Sequence, residues 1–332
     1  MKVIVFGATG SVGVYVSAIL RKHDFDVVAV GRRVCDNGFF SDYGIPYYSV
    51  DIKDQSTFVG LPKDIDAVVH LAGAMPAHMK DYDPYEYTNS IVNGTLNVLE
   101  YMRKCDCNKI IFSQSIADIG YKFGTTIPIP DDVEMKFPLN TDHSIYSISK
   151  NAAVHLIEHY HVKYGFSRFV LRLPTIYAYH PNPYYYVDGH KKWLGYRFLI
   201  ERAIKGETLE IWGNPQHMKE MVCIKDLVQL IENALKSDVS GGIYNVGCGH
   251  PVTFEEQVLT IVDVFKTTQR SEIIYRPEMP SSPQFILDIE KAQRELNYNP
   301  QYGIRELLEA YKMDLYEEPY AKLLGRRCDY ID

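Results

Sequence analysis

A glycine-rich turn near the start of the chain constrains the fold more strongly than any other feature of the sequence. The turn Gly7-Ala-Thr-Gly10-Ser-Val-Gly13 directly follows the short apolar run Val3–Phe6 and opens a stretch whose apolar residues have helical spacing. A strand followed by a tight turn and a helix N-terminus binds a pyrophosphate in parallel α/β sheets. Gly7 permits the tight turn, Gly10 leaves room for the pyrophosphate, and Gly13 lets the helix pack closely on the sheet. The turn therefore predicts dinucleotide binding.

Short apolar runs alternate with helical patterns through the first half of the 332-residue chain. Because strands of a parallel sheet are buried on both faces, they read as continuous apolar runs. We predict a Rossmann-type, doubly wound α/β domain over residues 1–175, with a strand near 242–247 returning to it, and a smaller mixed α/β substrate domain over 176–332. The runs that carry this prediction are Val3–Phe6, Val27–Val30, Ala67–Leu71, Lys109–Phe112 and Phe169–Leu173, with helices at about 84–102 and 145–164.

Composition and charge exclude several classes of function. The chain carries a formal net charge of −7 and has no run of Lys and Arg, so neither nucleic acid nor a membrane surface is an expected partner. No stretch approaches the roughly 18 consecutive apolar residues of a membrane-spanning helix. The six Cys include no Cys-x-x-Cys pair, so we expect no metal site. These features indicate a cytoplasmic protein with reduced thiols.

The residues after the second predicted strand bear on the choice of cofactor. That strand ends in Val30-Gly31-Arg32-Arg33, without the carboxylate that would bind the ribose 2′-hydroxyl of NAD. Two guanidiniums at this place can hold a 2′-phosphate, although they can equally form a solvated pair. The sequence favours NADP(H), with NAD as the alternative. Asp51 and Ile52 are placed to meet the adenine, and the small residues of His70-Leu-Ala-Gly73 leave room for the ribose and diphosphate.

A tyrosine and a lysine in the middle of the chain have the spacing of an acid/base pair. Tyr146 and Lys150 are four residues apart, one above the other on a helix face. The ammonium is expected to lower the pKa of the phenol toward neutrality, which suits a general acid/base acting on the hydroxyl of a sugar or alcohol. With 26 Tyr in the chain such a pair arises readily by chance, but this one follows a dinucleotide fingerprint. Ser115 ends the preceding strand, at the sheet edge where such folds bind ligands.

Taken together, these segments resemble the extended short-chain dehydrogenase/reductase family, in its NAD-dependent epimerase/dehydratase (nucleotide-sugar epimerase) branch. The resemblance runs nearly from end to end of the chain. The matching segments include GATGSVG, VDIKD, VVHLAG, NGTLNVLE (93–100), FSQSIADIG (112–120), YSISK, LRLPTIYA (171–178), ETLEIWGNPQHMKEMVCIKD (207–226), IYNVGCG (243–249) and ILDIEKAQRELNYNP (286–300).

The resemblance implies catalytic roles. Tyr146 is the expected acid/base, Lys150 its partner and a ligand of the nicotinamide ribose, and Ser115 the third catalytic residue. Epimerases of the branch take a proton from the sugar 4-hydroxyl while C4 gives a hydride to the cofactor, and the 4-keto sugar turns over before the hydride returns. The cofactor-binding residues expected are Gly7, Thr9, Gly10, Ser11, Val12, Gly13, Arg32, Arg33, Asp51, Ile52, Leu71, Ala72, Gly73, Tyr146, Lys150 and Pro174.

Departures from the family pattern reduce the number of reactions that this chain is expected to catalyse. Dehydratases of the branch carry Asp-Glu after the catalytic hydroxyl, where this chain has Ile116-Ala117, so dehydration is disfavoured. Two hypotheses stay open: a nucleotide-sugar 4-epimerase, and an NADPH-dependent ketoreductase of a keto sugar or related carbonyl. A non-catalytic, cofactor-sensing protein is a third, disfavoured because the Tyr and Lys are both kept. The substrate residues expected by resemblance are Ser115, Thr175 (usually Asn), Lys219 (usually Arg) and Arg276, close to Met279 where the family has an Arg.

We also predict roles for the aromatic segment and for two helices, but not for the C-terminal tail. The aromatic residues of 177–196 are expected to form an irregular substrate lid. By analogy with the family, helices near 84–104 and 144–164 are expected to pair across a two-fold axis in a homodimer. The C-terminal tail 317–332 has no assigned role.

Overall fold

The computed structural model describes residues 1–187, 189–267 and 269–331; Asp188 of the expected lid, Thr268, and Asp332 of the tail lie outside the described residues. The strands are β1 (Lys2–Phe6), β2 (Asp26–Gly31), β3 (Tyr47–Ser49), β4 (Ala67–His70), β5 (Lys109–Ser115), β6 (Ser167–Leu173), β7 (Ile176–Tyr177), β8 (Tyr184–Val187), β9 (His190–Trp193), β10 (Leu209–Trp212), β11 (Met218–Lys219), β12 (Val222–Cys223), β13 (Gly241–Asn245), β14 (Val252–Thr253) and β15 (Ile273–Arg276).

The helices cover both faces of the main sheet, and six of those described lie in the second half of the chain. They are α1 (Gly13–Lys22), α2 (Phe39–Asp42), α3 (Pro84–Tyr87), α4 (Gly94–Lys104), α5 (Asp142–Tyr164), α6 (Gly195–Lys205), α7 (Ile224–Lys236), α8 (Phe254–Phe265), α9 (Glu290–Leu296), α10 (Ile304–Glu317) and α11 (Ala321–Leu324).

The main sheet has a doubly wound order. Over the described ranges it contains seven strands, all parallel, in the order β3-β2-β1-β4-β5-β6-β13. The chain moves outward from β1 in one direction through β2 and β3, and in the other through β4 to β6. The loops after β1 and β4 therefore separate and leave a crevice at the carboxyl ends of these strands. This order confirms the predicted Rossmann-type α/β fold.

Side chains alternate between the two faces of the sheet and build two apolar cores. On β1, Val3 and Val5 contribute to one core, whereas Ile4 and Phe6 contribute to the other. All four are fully buried. The strands read as continuous apolar runs in the sequence because helices cover both faces.

Two elements differ from the predictions. The segment 177–196 is not irregular, because β8 and β9 form an antiparallel pair with Tyr184 opposite Trp193. Aromatic side chains favour strands by packing across them, and the ring centres of these two residues are 5.0 Å apart. The helix predicted over 84–102 is divided into α3 and α4 by a wider π-helical segment, Thr88–Asn93. In that segment Ser90 Oγ donates to the Glu86 carbonyl at 2.6 Å and accepts from the Ala74 N–H at 3.0 Å.

A buried ion pair joins the strand ends next to the crevice. Arg172, on β6, is fully buried. Its Nε lies 3.0 Å from each of the two carboxylate oxygens of Asp118. Arg172 Nη1 also donates to the Asn245 side chain on β13 at 2.9 Å and to the Asp131 carbonyl at 3.2 Å. Asp118 lies in the 3₁₀ turn Ile116–Lys122 that directly follows β5. The pair therefore fixes the segment after Ser115 relative to two other strands.

Replacing Gly13 by Ala is expected to destabilise the fold by about 1–3 kcal/mol, the usual cost of overpacking. A Cβ at Gly13 would lie 2.0 Å from the Gly7 carbonyl oxygen, which is backbone and cannot rotate away. The matched control is Gly195→Ala, where a Cβ meets no atom within 4 Å and the residue begins a helix. Thermal unfolding checks this: equal melting temperatures of the two variants would contradict the close packing of the turn.

Replacing Asp118 by Leu is expected to destabilise the protein by about 3–5 kcal/mol, because it leaves the Arg172 charge buried without a counter-charge. The double variant Asp118→Leu/Arg172→Met removes both charges and should recover part of that loss. Asp132→Leu serves as the control, because Asp132 is exposed and directly follows Asp131 in the sequence. Urea unfolding measures all three, and a double variant less stable than Asp118→Leu alone would contradict this account.

Candidate active site

The glycine-rich turn forms a narrow cradle between β1 and the chain after β4. Gly7 has a φ of +86°, a conformation that favours glycine. A Cβ there would lie 2.8 Å from the Ala72 nitrogen and the Leu71 carbonyl carbon. Gly10 is exposed, and its N–H donates to the Gly7 carbonyl at 3.0 Å. An open turn of bare backbone at the N-terminus of α1 suits a diphosphate, so these residues fit the expected dinucleotide.

The other expected cofactor residues surround the same crevice. Thr9 packs against Gly31 at the end of β2, where a Cβ would lie 2.7 Å from the Thr9 hydroxyl. Leu71 continues β4, with its N–H bonded to the Phe6 carbonyl at 2.9 Å. Ile52 packs on Gly94 at the start of α4. The remaining positions follow strand ends or precede α1: Ser11, Val12, Asp51, Ala72, Gly73 and Pro174.

Both arginines after β2 are engaged with protein groups. Arg32 Nη1 lies 2.9 Å from Glu86 Oε1 on α3. Arg33 donates through Nη1 to the Leu323 carbonyl on α11. The sequence pattern did not reveal either partner, because each comes from a distant part of the chain.

The structure brings Ser115, Tyr146 and Lys150 together beside the crevice. Ser115 is the last residue of β5, its Oγ accepts from the Ala117 N–H at 3.2 Å, and its side chain is near enough to Tyr146 on α5 to lower the pKa of that phenol. Lys150, one turn further along α5, donates through Nζ to the Ser113 carbonyl at 2.7 Å. Tyr146 and Lys150 are both buried, at 9% and 5% exposure. A phenol, a hydroxyl and an amine so arranged can take up and release a proton at a substrate hydroxyl.

The protonation of this pair differs from the prediction. Burial raises the pKa of Tyr146 to about 12, although the nearby Ser115 hydroxyl acts in the opposite direction. Burial also lowers the pKa of Lys150 to about 7. The ammonium points at a backbone carbonyl and lies 6.0 Å from the centre of the Tyr146 ring. The expected lowering of the phenol pKa by Lys150 is therefore wrong for this arrangement, because desolvation outweighs the charge.

A buried amide pair holds α5 in register with β5. Gln114 Nε2 donates to Asn151 Oδ1 at 2.9 Å, and Gln114 Oε1 accepts from the Ser115 N–H at 2.8 Å. Asn151 directly follows Lys150, so the pair fixes the catalytic turn of the helix relative to the catalytic end of the strand. Sequence analysis missed these two residues, although an amide in the otherwise apolar β5 is the signal that could have revealed them.

The expected substrate residues are spread more widely. Thr175 is exposed just after β6, and Lys219, on β11, is half-buried with its Nζ 5.3 Å from the centre of the Phe254 ring. Burial lowers the pKa of Lys219 to about 8, and no carboxylate among the described residues pairs with it. Arg276 lies on β15, where it forms an ion pair of 3.2 Å with Glu210.

Two kinds of feature are absent from the described ranges. No helix there combines the length and the apolar character needed to cross a bilayer. No group of three or more His, Cys, Asp and Glu in those ranges is arranged to hold a metal ion.

Known proteins resemble this chain along most of its length. The model of the NAD dependent epimerase/dehydratase family matches residues 3–247. A putative UDP-glucose 4-epimerase of Methanocaldococcus jannaschii is 25% identical over 308 residues, which cover 92% of this chain and 95% of that protein. UDP-glucuronate 4-epimerase 4 of Arabidopsis thaliana is 26% identical over 347 residues, covering 93% of this chain and 75% of that protein.

Solved structures share the fold. UDP-glucose 4-epimerase of Thermotoga maritima, solved with UDP-glucose, has a TM-score of 0.76 at 21% identity, with 95% of this chain and 100% of that chain covered. UDP-glucuronic acid 4-epimerase of Bacillus cereus, solved with NAD, has a TM-score of 0.72 at 21% identity, with 96% and 98% covered. Since the family model spans most of the chain, this protein belongs to the NAD-dependent epimerase/dehydratase family and is an enzyme of the extended short-chain dehydrogenase/reductase type.

Proposed function

We propose that this enzyme is a nucleotide-sugar 4-epimerase in which Tyr146 is the acid/base and the hydride moves at sugar C4. The observation that carries the proposal is the meeting of Ser115, at the end of β5, with the buried Tyr146 and Lys150 of α5 beside the glycine-rich cradle, where Lys150 Nζ lies 2.7 Å from the Ser113 carbonyl and 6.0 Å from the centre of the Tyr146 ring. The adjacent residues Ile116 and Ala117 supply no carboxylate for the removal of water, which favours epimerisation over dehydration.

The residues act on the sugar in two stages. Tyr146, with Ser115 nearby, accepts the proton of the 4-hydroxyl and returns it to the 4-keto group after the sugar has turned over. A nicotinamide dinucleotide held by the glycine-rich turn and Lys150 would supply a reversible hydride acceptor and donor for sugar C4. Lys150 keeps its amine 2.7 Å from the Ser113 carbonyl, from where it can bind the nicotinamide ribose. The pKa of the buried phenol, about 12, requires added positive charge before Tyr146 accepts a proton near neutral pH.

In this proposal the enzyme binds its substrate chiefly through the nucleotide diphosphate. Lys219 supplies a cation without a carboxylate partner among the described residues, and an ammonium in that position suits a diphosphate as a point charge. Thr175 is exposed next to Pro174 at the end of β6, within the same crevice edge. The relatives are named for UDP-glucose and UDP-glucuronate, which makes UDP-sugars the first substrates to test. In this proposal the substrate domain begins near residue 176, and β8 and β9 belong to its lid.

An NADPH-dependent ketoreductase is the second candidate function. Arg32 and Arg33 at the end of β2 favour it, because guanidiniums there suit a 2′-phosphate. The preference for NADP(H) stays a prediction. It is opposed by the contacts that the two arginine side chains already make with Glu86 and Leu323. The Bacillus cereus relative was solved with NAD, which agrees better with an epimerase.

We also propose that α4 and α5 pair across a two-fold axis in a homodimer. Apolar side chains on these helices face outward: Leu96 is 38% exposed, Ile148 44% and Val162 83%. Two helices with exposed apolar residues from each of two copies can bury them in one four-helix interface. Replacing Ile148 by Asp is expected to convert the dimer to monomer in sedimentation velocity, whereas Val239→Asp, exposed elsewhere on the surface, should not. A monomeric wild type would contradict the proposal.

The reaction itself distinguishes the two candidate functions. An epimerase that recycles its hydride should convert UDP-glucose or UDP-glucuronate to the C4 epimer without added cofactor, and denatured enzyme should release about one NAD per chain. Chromatography of the sugars and mass spectrometry of the released small molecules measure both. Net consumption of NADPH with a keto sugar, and no epimer without cofactor, would overturn the epimerase in favour of the ketoreductase.

Replacing Tyr146 by Phe is expected to lower kcat by roughly 10²–10⁴-fold, the range for loss of a general acid/base, while cofactor binding is kept. Tyr164→Phe, an exposed tyrosine on the same helix, is the matched control and should leave kcat unchanged. Turnover and bound dinucleotide are measured on the same samples. A Tyr146→Phe enzyme with wild-type turnover would remove this residue from the mechanism.

A further inference from the structure

The segments that follow β2, β3 and β4 meet at the end of the crevice where this fold binds the adenosine ribose. Arg32 follows β2, Lys53 follows β3, and Glu86 lies on α3 beyond β4. The Glu86 carboxylate joins the other two. Its Oε1 lies 2.9 Å from Arg32 Nη1, and its Oε2 lies 2.9 Å from Lys53 Nζ.

These contacts leave the cluster electrically balanced. Asp51 Oδ2 lies 3.8 Å from Lys53 Nζ, so two carboxylates face two cations. The Glu86 side chain is 24% exposed, and it therefore keeps more of its electrostatic strength than a fully solvated group. Arg32 is the more exposed partner, at 66%, and its guanidinium is the group that an incoming 2′-phosphate would meet.

The two nicotinamide cofactors place different demands on this cluster. A 2′-phosphate carries about −1.5 to −2 charges at neutral pH. It would compete with Glu86 for Arg32 and would be repelled by that carboxylate at close range. The 2′-hydroxyl of NAD is uncharged and incurs neither cost, and it can donate a hydrogen bond to a carboxylate.

The second arginine, Arg33, cannot take the place of Arg32 as a ligand of a 2′-phosphate. The Arg33 side chain donates to the Leu323 carbonyl, and the Arg33 carbonyl accepts from Tyr47 Oη at 2.6 Å. Helix α11 is itself fixed to α2, since Lys322 Nζ lies 2.6 Å from Asp42 Oδ2. Turning Arg33 toward a ligand would therefore break a contact that anchors the C-terminal tail.

We infer that Glu86 sets the cofactor preference of this enzyme in favour of NAD, by occupying the arginine that would otherwise bind a 2′-phosphate. This inference rests on the proposed function only in that it requires a nicotinamide dinucleotide in the crevice. It makes Glu86, on the loop after β4, the counterpart in effect of a carboxylate at the end of β2. The preference then depends on a residue far from the arginines in the sequence.

Equilibrium binding tests the inference without any turnover. The full-length protein, freed of bound dinucleotide, is titrated with NADH and with NADPH, and the fluorescence of the reduced nicotinamide gives both Kd values. The wild type is expected to prefer NADH. Glu86→Gln should shift the ratio of the two Kd values toward NADPH by roughly tenfold, the size of one partly screened charge interaction. The control Asp81→Asn removes the same charge from an exposed position in the preceding loop and should leave the ratio unchanged.

A double variant tests whether the gain in NADPH affinity depends on Arg32. Glu86→Gln/Arg32→Gln should lose the gain in NADPH affinity, because that gain arises from the freed guanidinium. Arg32→Gln alone should change the ratio little, and it serves if Glu86→Gln fails to fold. A wild type that prefers NADPH, or an unchanged ratio in a folded Glu86→Gln variant, would overturn the inference and leave the epimerase proposal standing. Failure of either dinucleotide to bind the wild type would overturn the proposed function itself.

Discussion

The close packing of three backbone segments at the first turn is the constraint on which the rest of the site depends. Gly7 lies against the backbone of Leu71 and Ala72, and Gly13 lies against the Gly7 carbonyl. No side chain larger than hydrogen fits at either glycine, so α1 starts close to the sheet and its N–H groups face the crevice. The turn thereby sets where a diphosphate can lie, and the diphosphate sets how far the nicotinamide reaches along the sheet. Ser115, at the end of β5, and Tyr146, on α5, lie on the elements that follow β4 in the chain.

The catalytic group is held on the other side of the crevice by polar contacts inside an apolar core. Gln114 and Asn151 join β5 to α5, and the Arg172–Asp118 pair joins the segment after β5 to β6 and β13. Buried polar groups of this kind need geometrically matched partners, so they fix one arrangement where apolar packing would tolerate several. These polar contacts thereby position Ser115 and the turn of α5 that carries Lys150. Burial has a second effect: it raises the pKa of the Tyr146 phenol and lowers the pKa of the Lys150 amine.

The sequence predicted the features that depend on local pattern. The apolar runs identified the strands of the parallel sheet, the glycine spacing identified the turn, and the four-residue spacing placed Tyr146 above Lys150. It failed where distant segments meet. The hairpin of β8 and β9 was missed because its stabilising pair, Tyr184 and Trp193, is a cross-strand contact. The phenol pKa was mispredicted because a helix-spacing argument supplies the charge of Lys150 but not the desolvation of both groups. Gln114 and Asn151 could have been suspected from an amide within an apolar strand, but not paired.

The arginines after β2 show why residue type alone does not identify a ligand. Two guanidiniums at the adenosine end have the right chemistry for a phosphate, yet a cation binds whichever anion or carbonyl the fold brings nearest. Here the fold brings Glu86 from the loop after β4 and Leu323 from the C-terminal helix. The tail that supplies Leu323 also reaches the substrate half, where Arg327 pairs with Glu201 on α6. The tail thus connects the cofactor edge with a helix of the other half of the chain, and a motif read over a few residues cannot contain that information. Charge balance over the whole cluster, rather than the presence of arginine, is the quantity that decides which dinucleotide the crevice accepts.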